Sequence, residues 1–507
     1  MNKEAYLIRD YSLRGVEAKK AKEMGLADAE WYQTPVARDK MRELLIRRNG
    51  PGIVNTLTWF AIIFGSGYLF VLWWGAWYAV FPYIIYSTLY ASTSDSRWHE
   101  SGHGTVFKSD WMNNVLYEIS SFMVFRQSSV WRWSHARHHS DTIIPGLDPE
   151  IAVPKPPQLR KIILDFFGMN GLISEVKKII SHSIGRIDPE VATYVPHEEY
   201  KTIFLKARLY VAIYATVIIL SIVLGSLLPL MLIGLPTLLG SWLMPIYTLT
   251  QHSGLEENVL DHRLNSRTVY MNRVNRFLYM NMNYHIEHHM FPLVPYHNLP
   301  KLHELIKDDC PKPYSGLFEA YKELIPALLK QRKDPLYKID RKLPAPKNTS
   351  TVNNANGFIV SNSKVVDGSI EVCSVSDLPK NEVIRFDFRQ NTYAIYRTLE
   401  DKLFATDGIC THGNAHLANG VIIGDMIECP KHNGRFGIKD GMPRRAPVCA
   451  SIRTYHAFSQ NGKIYLNLQP INNLPGIMED RCWKVKSNNN VTTYIKELVL
   501  EPLTGDG

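Results

Sequence analysis

The sequence predicts a multidomain chain: an α-helical integral membrane domain of two transmembrane hairpins with a cytoplasmic helical cap, followed by a C-terminal all-β domain. Three observations carry this. Four apolar runs, Ile53 to Trp74, Trp77 to Ala91, Leu205 to Leu224 and Leu230 to Thr250, fall into two pairs, each joined by a turn without Lys or Arg. Histidines recur at helical spacing after each pair. Beyond residue 367 the pattern changes to short runs of strand composition. At 507 residues there is room for two or three domains. A mean hydropathy of -0.15 excludes a protein that is mostly membrane. The net charge of +9 is not gathered into blocks of the kind that bind nucleic acid, so none is expected as a partner. A basic face beside apolar spans reads more simply as contact with an anionic leaflet. Six cysteines, Cys310, Cys373, Cys410, Cys429, Cys449 and Cys482, are too sparse for a disulfide scaffold and fit a reducing compartment.

Residues 1–50 form a basic N-terminal segment with eleven Lys or Arg and no apolar signal-like core, expected in the cytoplasm. A helix over Asp39 to Arg48 ends at Asn49-Gly50-Pro51-Gly52. The membrane domain is expected over 51–340. With the basic flank held in the cytoplasm, each hairpin returns the chain to that side, first at Ser92 and then at Gln251-His252. Leu116 to Phe125 is too short for a span and is read as interfacial. Residues 154–200 alternate apolar and basic positions, as helices lying on a membrane do, with a soluble helical insertion as the alternative. Lys301 to Leu336 reads as cytoplasmic helix. A linker is expected over 341–366, where the polar stretch Leu343 to Ser363 has an r.m.s. reach of roughly 25 Å, enough to let the next domain dock on the preceding one. The β domain is placed at 367–470, with strands at Val383 to Arg389, Asn391 to Arg397, Lys402 to Ile409 and Ile464 to Leu468 and a turn at Asn461-Gly462. Residues 471–507 are read as a C-terminal tail.

His99 and His103 are one helical turn apart, and His135, His138 and His139 repeat spacings of three and four, as do His285, His288 and His289. Eight imidazoles at ligating spacing are too many for one four-coordinate zinc and point to two metal ions. Topology, argued independently from hydropathy and charge, delivers every cluster and His252 to one membrane face. A rival reading is that His99-Glu100-Ser101-Gly102-His103 matches H-E-x-x-H, with Glu100 the general base of a membrane zinc protease. That pattern leaves the other clusters without a role.

In the β domain, Cys410-Thr-His412 and Cys429-Pro-Lys-His432 each offer one thiolate and one imidazole, about sixteen residues apart. Two cysteines and two histidines suit tetrahedral zinc. The arrangement also resembles the Rieske signature, in which two Cys hold one iron of a [2Fe-2S] cluster and two His hold the other. Rieske proteins of respiratory complexes carry an additional cysteine in each loop. Here His412-Gly-Asn-Ala-His416 and His432-Asn-Gly-Arg435 have none, so the resemblance is to the ferredoxins that feed oxygenases.

Residues 50–310 resemble the membrane fatty acid desaturase and hydroxylase superfamily, whose mark is three histidine boxes on the cytoplasmic side of two helical hairpins. Trp131 to Thr142, with Gly146-Leu-Asp-Pro-Glu150, look closest to the rhizopine-catabolism type of hydrocarbon oxygenase, here with the Rieske ferredoxin fused. The resemblance implies a diiron site held by His99, His103, His135, His138, His139, His252, His285, His288 and His289, with Asn281 as a water-linked ligand or a supporting group, Asp148 as a supporting group, and no catalytic residue beyond the ligands. It implies two non-haem irons, one Rieske [2Fe-2S] cluster held by Cys410, His412, Cys429 and His432, and O₂ as co-substrate. The expected activity is hydroxylation or desaturation of a C–H bond in a lipid-like or acyl-bearing substrate, with membrane lipid around the protein. An external NAD(P)H-dependent reductase is expected, because no glycine-rich dinucleotide fingerprint follows a strand. A non-enzymatic membrane redox relay is the remaining alternative. N-terminus, diiron site and Rieske domain are all expected on the cytoplasmic side.

Overall fold

The computed structural model describes residues 9–27, 29–344, 357–359, 368–413, 415–471 and the strands Trp483–Asn490 and Lys496–Pro502. The N-terminal part is helical. Short helices α1 (Val16–Glu23) and α2 (Arg38–Leu44) precede α3 (Asn49–Leu72), whose 24 residues rise about 36 Å. Trp59, Ile63, Ser66, Gly67 and Phe70 of α3 are buried at helical spacing, while Val54, Leu57, Phe64, Tyr68 and Leu72 form an exposed apolar face. Helix α4 (Val80–Tyr90) packs Tyr83 and Tyr86 against that buried stripe and runs through Ala91 into α5 (Ser92–His103). Next come α6 (Asp110–Met123) and α7 (Ser128–Ser140), then α8 (Leu159–Asp165) and α9 (Met169–Ser183). The last two expose Ile163, Leu164, Ile173 and Ile180, in keeping with the amphipathic pattern.

Helix α10 (Tyr200–Val223) is the second long apolar helix. Among the described residues, Arg38–Leu72 and His197–Val223 are the helical stretches long and apolar enough to cross a membrane. The returning arms differ from the expected continuous spans. Trp77 to Ala91 begins with a 3₁₀ turn, and its α-helix has 11 residues. Leu230 to Thr250 is broken into α11 (Leu228–Leu232), α12 (Leu235–Leu239) and α13 (Leu243–His252). The first break falls at Gly234, with φ 110° and Pro236 at the start of the next helix, and the second at Gly240, where a Cβ would lie 1.8 Å from the carbonyl oxygen of Ser87, so glycine alone permits this approach to α4. Ser92 Oγ then donates to the Gly240 carbonyl at 2.6 Å. Helices α14 (His262–Asn265), α15 (Arg273–Leu278), α16 (His285–Met290), α17 (Leu299–Ile306) and α18 (Leu317–Lys333) complete the domain.

The C-terminal part holds β1 (Gly357–Ile359), β2 (Ser369–Ser374), β3 (Glu382–Phe388), β4 (Asn391–Arg397), β5 (Leu403–Asp407), β6 (Val421–Ile423), β7 (Met426–Glu428), β8 (Arg435–Gly437), β9 (Pro443–Arg445), β10 (Thr454–Gln460) and β11 (Lys463–Pro470). One sheet has the order β1-β3-β4-β5-β10-β11-β2, and a smaller one runs β6-β7-β8-β9. Two segments depart from expectation. Three residues of the expected linker form β1, parallel to β3 with Gly357 opposite Arg385, because Phe358 and Ile359 offer strand composition to an open sheet edge. The rest of the polar stretch beyond residue 344, apart from β1, lies outside the described residues. The expected tail contains β12 (Trp483–Asn490) and β13 (Lys496–Pro502), paired antiparallel with Val485 opposite Leu500.

Candidate metal centres

The histidine spacing becomes geometry on four helices: α5 carries His99 and His103, α7 carries His135, His138 and His139, α16 carries His285, His288 and His289, and His252 ends α13. Eight of these are buried and His252 is half-buried. The Nε2 atoms of His99 and His288 lie 2.6 Å apart, those of His103 and His135 3.1 Å, and those of His135 and His139 3.2 Å. Ligand atoms of these five residues all fall within 4.8 Å of one another. His138, His252 and His289 make a second such group. His285 Nε2 joins it, 2.9 Å from His252 Nε2 and 3.0 Å from His289 Nε2. Nitrogens bound to one ion at about 2.1 Å and at right angles stand about 3 Å apart, so this spacing fits ligands that share an ion.

Four of the opposite ring nitrogens are held from behind in the way that orients metal-binding imidazoles, while Nδ1 of His139, His285 and His288 is buried without a hydrogen-bond partner. His135 Nδ1 meets Glu150 Oε2 at 3.0 Å, His138 Nδ1 meets Asp148 Oδ2 at 2.9 Å, and His289 Nδ1 meets Thr142 Oγ1 at 3.2 Å. His252 Nδ1 donates to the Asn265 carbonyl at 2.8 Å. Burial first, and neighbouring imidazoles second, push His99, His139, His285 and His289 well below their ordinary range. These rings are neutral at pH 7 and able to take metal without losing a proton. Burial also works against charge on Glu150, but the adjacent His135 holds its carboxyl at about 2.

All nine histidines come together, and Asp148 stands where a supporting group belongs. Asn281 does not. Its Oδ1 accepts from Arg276 Nε at 2.8 Å and its Nδ2 donates to the Tyr296 carbonyl at 2.9 Å. Glu100, the base of the protease reading, is buried behind the histidines, with Oε1 3.6 Å from His288 Nδ1 and Oε2 accepting from Thr105 at 3.3 Å. It faces the back of a ring, away from the converging Nε2 atoms. The sequence reading missed Thr142 and Asn265, and did not single out Glu150. The signal for Glu150 was present in its neighbourhood, two residues after Asp148; no local pattern marks the other two.

In the β domain, Cys410 follows β5 and Cys429 follows β7, both buried, and the rings of His412 and His432 lie 4.9 Å apart. Gly413 lets the loops meet: a Cβ there would lie 2.6 Å from His432 Cε1. The two thiols face one another, which lowers Cys410 and raises Cys429 relative to an ordinary cysteine. His432 Nδ1 is buried without a hydrogen-bond partner, which leaves its lone pair available to a metal. Two thiols and two imidazoles converge here, and this donor set fits a Rieske cluster.

A cavity of about 410 Å³ opens onto His99, His135, His138, His252 and His285. Its walls come from the segment after α7, from α8 and α9, and from α13, and include Ile162, Leu172, Met244 and Leu249 beside Glu150 and Lys155. That volume suits a small organic ligand.

The fatty acid desaturase family model matches residues 75–321, and the Rieske [2Fe-2S] domain model matches residues 368–456. The chain joins a fatty acid desaturase domain to a Rieske domain. Its Rieske part is 35% identical over 99 residues to the ferredoxin component of the naphthalene 1,2-dioxygenase system of Pseudomonas putida, covering 20% of this chain and 94% of that protein. It is 32% identical over 100 residues to the ferredoxin component of the naphthalene 1,2-dioxygenase/salicylate 5-hydroxylase systems of a Ralstonia species, covering 20% and 95%. Among solved structures, a chain from the complex of reduced oxygenase and oxidized ferredoxin in carbazole 1,9a-dioxygenase matches at 29% identity. It covers 21% of this chain and all of that one, with a TM-score of 0.20. The desaturase–Rieske protein is an oxidoreductase of the oxygenase type, with non-haem iron and iron–sulfur cofactors and a Rieske electron carrier of its own.

Proposed function

We propose that this protein is a membrane-bound diiron oxygenase that hydroxylates or desaturates a C–H bond of a lipid-like or acyl-bearing substrate, using O₂ and electrons relayed by its own Rieske domain. The observation that carries the reading is the convergence of nine histidine side chains, five of which line one cavity, with the Rieske ligands packed behind the same histidine helices. His99, His103, His135, His139 and His288 would hold one iron, and His138, His252, His285 and His289 the other. Iron reduced in that setting supplies O₂-dependent C–H oxidation. The rest is the work of the chain. Asp148 and Glu150 fix the orientation of His138 and His135, and the apolar cavity wall positions the substrate and keeps water out. Cys410, Cys429, His412 and His432 would hold the cluster that receives electrons from an external NAD(P)H-dependent reductase.

The exposed apolar faces of α3 and α10 support two membrane-embedded helices, and α8 and α9 present apolar side chains suited to the bilayer surface. We place the shorter arms α4–α5 and α11–α13 beside those helices, with the N-terminus, the histidine centre and the Rieske domain on the cytoplasmic side. Domain limits of 51–340 and 367–470 go with this arrangement. The test is metal content followed by product analysis. Anaerobically purified protein should hold about two irons besides the two of the cluster. Products formed under ¹⁸O₂ by cells with active protein should carry one label for hydroxylation, or lose two hydrogens without label for desaturation. Zinc at the histidine site with no iron would overturn the reading.

A further inference from the structure

The two domains meet at the two metal centres themselves. His432, whose Nδ1 has no protein partner, places Nε2 2.6 Å from Ser140 Oγ, and Ser140 is the residue after His139. Ser140 Oγ also donates to the Ala136 carbonyl at 3.2 Å, so its lone pair accepts the His432 Nε2 proton and the imidazole keeps its Nδ1 lone pair free. The neighbouring Asn433 reaches the other way. His103 Nδ1 lies 3.4 Å from Asn433 Oδ1, while His103 Nε2 faces His135. Asn433 Nδ2 donates to Glu428 Oε1 at 3.3 Å, which sets the amide so that its oxygen faces His103.

Glu428 is fully buried and is the hub of the seam. Arg47 of the helical domain pairs with both of its oxygens, Arg435 Nε lies 2.6 Å from Oε2, and Arg445 Nη1 is 3.8 Å away. Arg435 continues to Asp110 Oδ2 at 2.5 Å, and Arg445 Nη2 donates to the Gly102 carbonyl at 3.3 Å. Outside the metal site this is a dense set of charge-assisted bonds around the buried Glu428, and it fixes the rotation of the Rieske domain on α5 and α6. Trp133 packs beside His412, with ring centroids 6.2 Å apart, so helix α7 covers both cluster histidines.

We propose that Asn433 and Ser140 are positioning residues for electron transfer inside one chain, Asn433 through its hydrogen bond to His103 and Ser140 through its hydrogen bond to His432 from the position next to His139, with Glu428 locking the contact. The inference rests on the function proposed above. The step served is passage of one electron: the iron–sulfur centre is oxidised by one equivalent, one ferric ion is reduced by one, and no bond is made or broken. The reductase replaces the electron.

The test uses the full-length holoenzyme, with the Rieske centre reduced by one electron and its visible absorbance followed anaerobically by stopped flow. Asn433→Ala should slow its reoxidation about tenfold, with the Rieske electron paramagnetic resonance spectrum and iron content intact. Ser140→Ala should give a smaller slowing that Ser140→Thr, which keeps the hydroxyl, restores. If Asn433→Ala loses the Rieske signal, the Ser140 pair decides: slowing restored by threonine supports the contact, and unchanged rates overturn it. A wild-type rate in Asn433→Ala with its spectrum intact would overturn the inference alone. A wild-type protein whose Rieske centre stays reduced would overturn the proposed function, and this inference with it.

Discussion

The histidine centre and the cysteine–histidine loops complete themselves in different ways. The histidine centre gathers side chains from positions 99 to 289, yet four outer contacts, from Asp148, Glu150, Thr142 and Asn265, come from its own domain. The Rieske loops take their ligands from a short stretch of sequence. Each is shaped by its own backbone, with Cys410 N donating to the Ala415 carbonyl at 2.9 Å and Cys429 N to the Gly434 carbonyl at 2.8 Å. The Nε2 of His432 is nonetheless met by Ser140 of the other domain. The histidine centre takes four of its outer contacts from its own scaffold and one, Asn433 on His103, from the docked domain, whereas His432 meets only the opposite domain at its Nε2. A centre assembled by tertiary packing needs internal support to hold ligands distant in sequence, whereas a compact loop pair can leave one edge for its redox partner.

The largest effect that would break this comparison is removal of a ligand on either side. His138→Ala should reduce turnover to below about one hundredth of wild type and deplete the non-cluster iron, while leaving the Rieske paramagnetic signal in place. Cys429→Ser should do the reverse to the two signals. Metal analysis beside electron paramagnetic resonance checks both, and loss of both metal centres in either variant would mean that neither centre holds its metal without the other.

Next in size is Asp148→Ala. It removes the carboxylate behind His138 and should weaken iron retention about 10- to 100-fold in chelator competition, with the Rieske spectrum unchanged. Unaltered iron retention would show that Asp148 does not support the centre.

The smallest and most specific effect concerns Glu428. Burial alone would raise its carboxyl, but Arg47, Arg435 and Arg445 hold it at about 2, below its ordinary 4.5. A depressed value means that the charged form stabilises the docked state fully above about pH 4.5, and that this contribution is lost as pH falls toward 2. Glu428→Gln should therefore cost about 3 kcal/mol at neutral pH, read as a lower melting temperature, and the gap to wild type should narrow in acid. Equal melting of the two proteins at pH 7 would remove Glu428 from the seam.

What the amino-acid sequence determined by itself was set by short-range pattern. Spacings of three and four place His135, His138 and His139 on one helical face because the α-helix repeats every 3.6 residues, and the paired Cys-x-His and Cys-x-x-His runs need only their loops to converge. The long apolar runs of α3 and α10 were legible for the same reason, as was the strand composition around β3 and β4. Tertiary structure decided the rest. It set Gly240 against Ser87, about 150 residues away in sequence, an approach that hydropathy cannot register. It turned Asn281 away toward Arg276 and brought Glu150 behind His135. It also set Asn433 against His103 across 330 residues, a meeting that depends on how two folded surfaces fit and on the buried charges of Arg47, Glu428 and Arg435, none of which carries a local pattern.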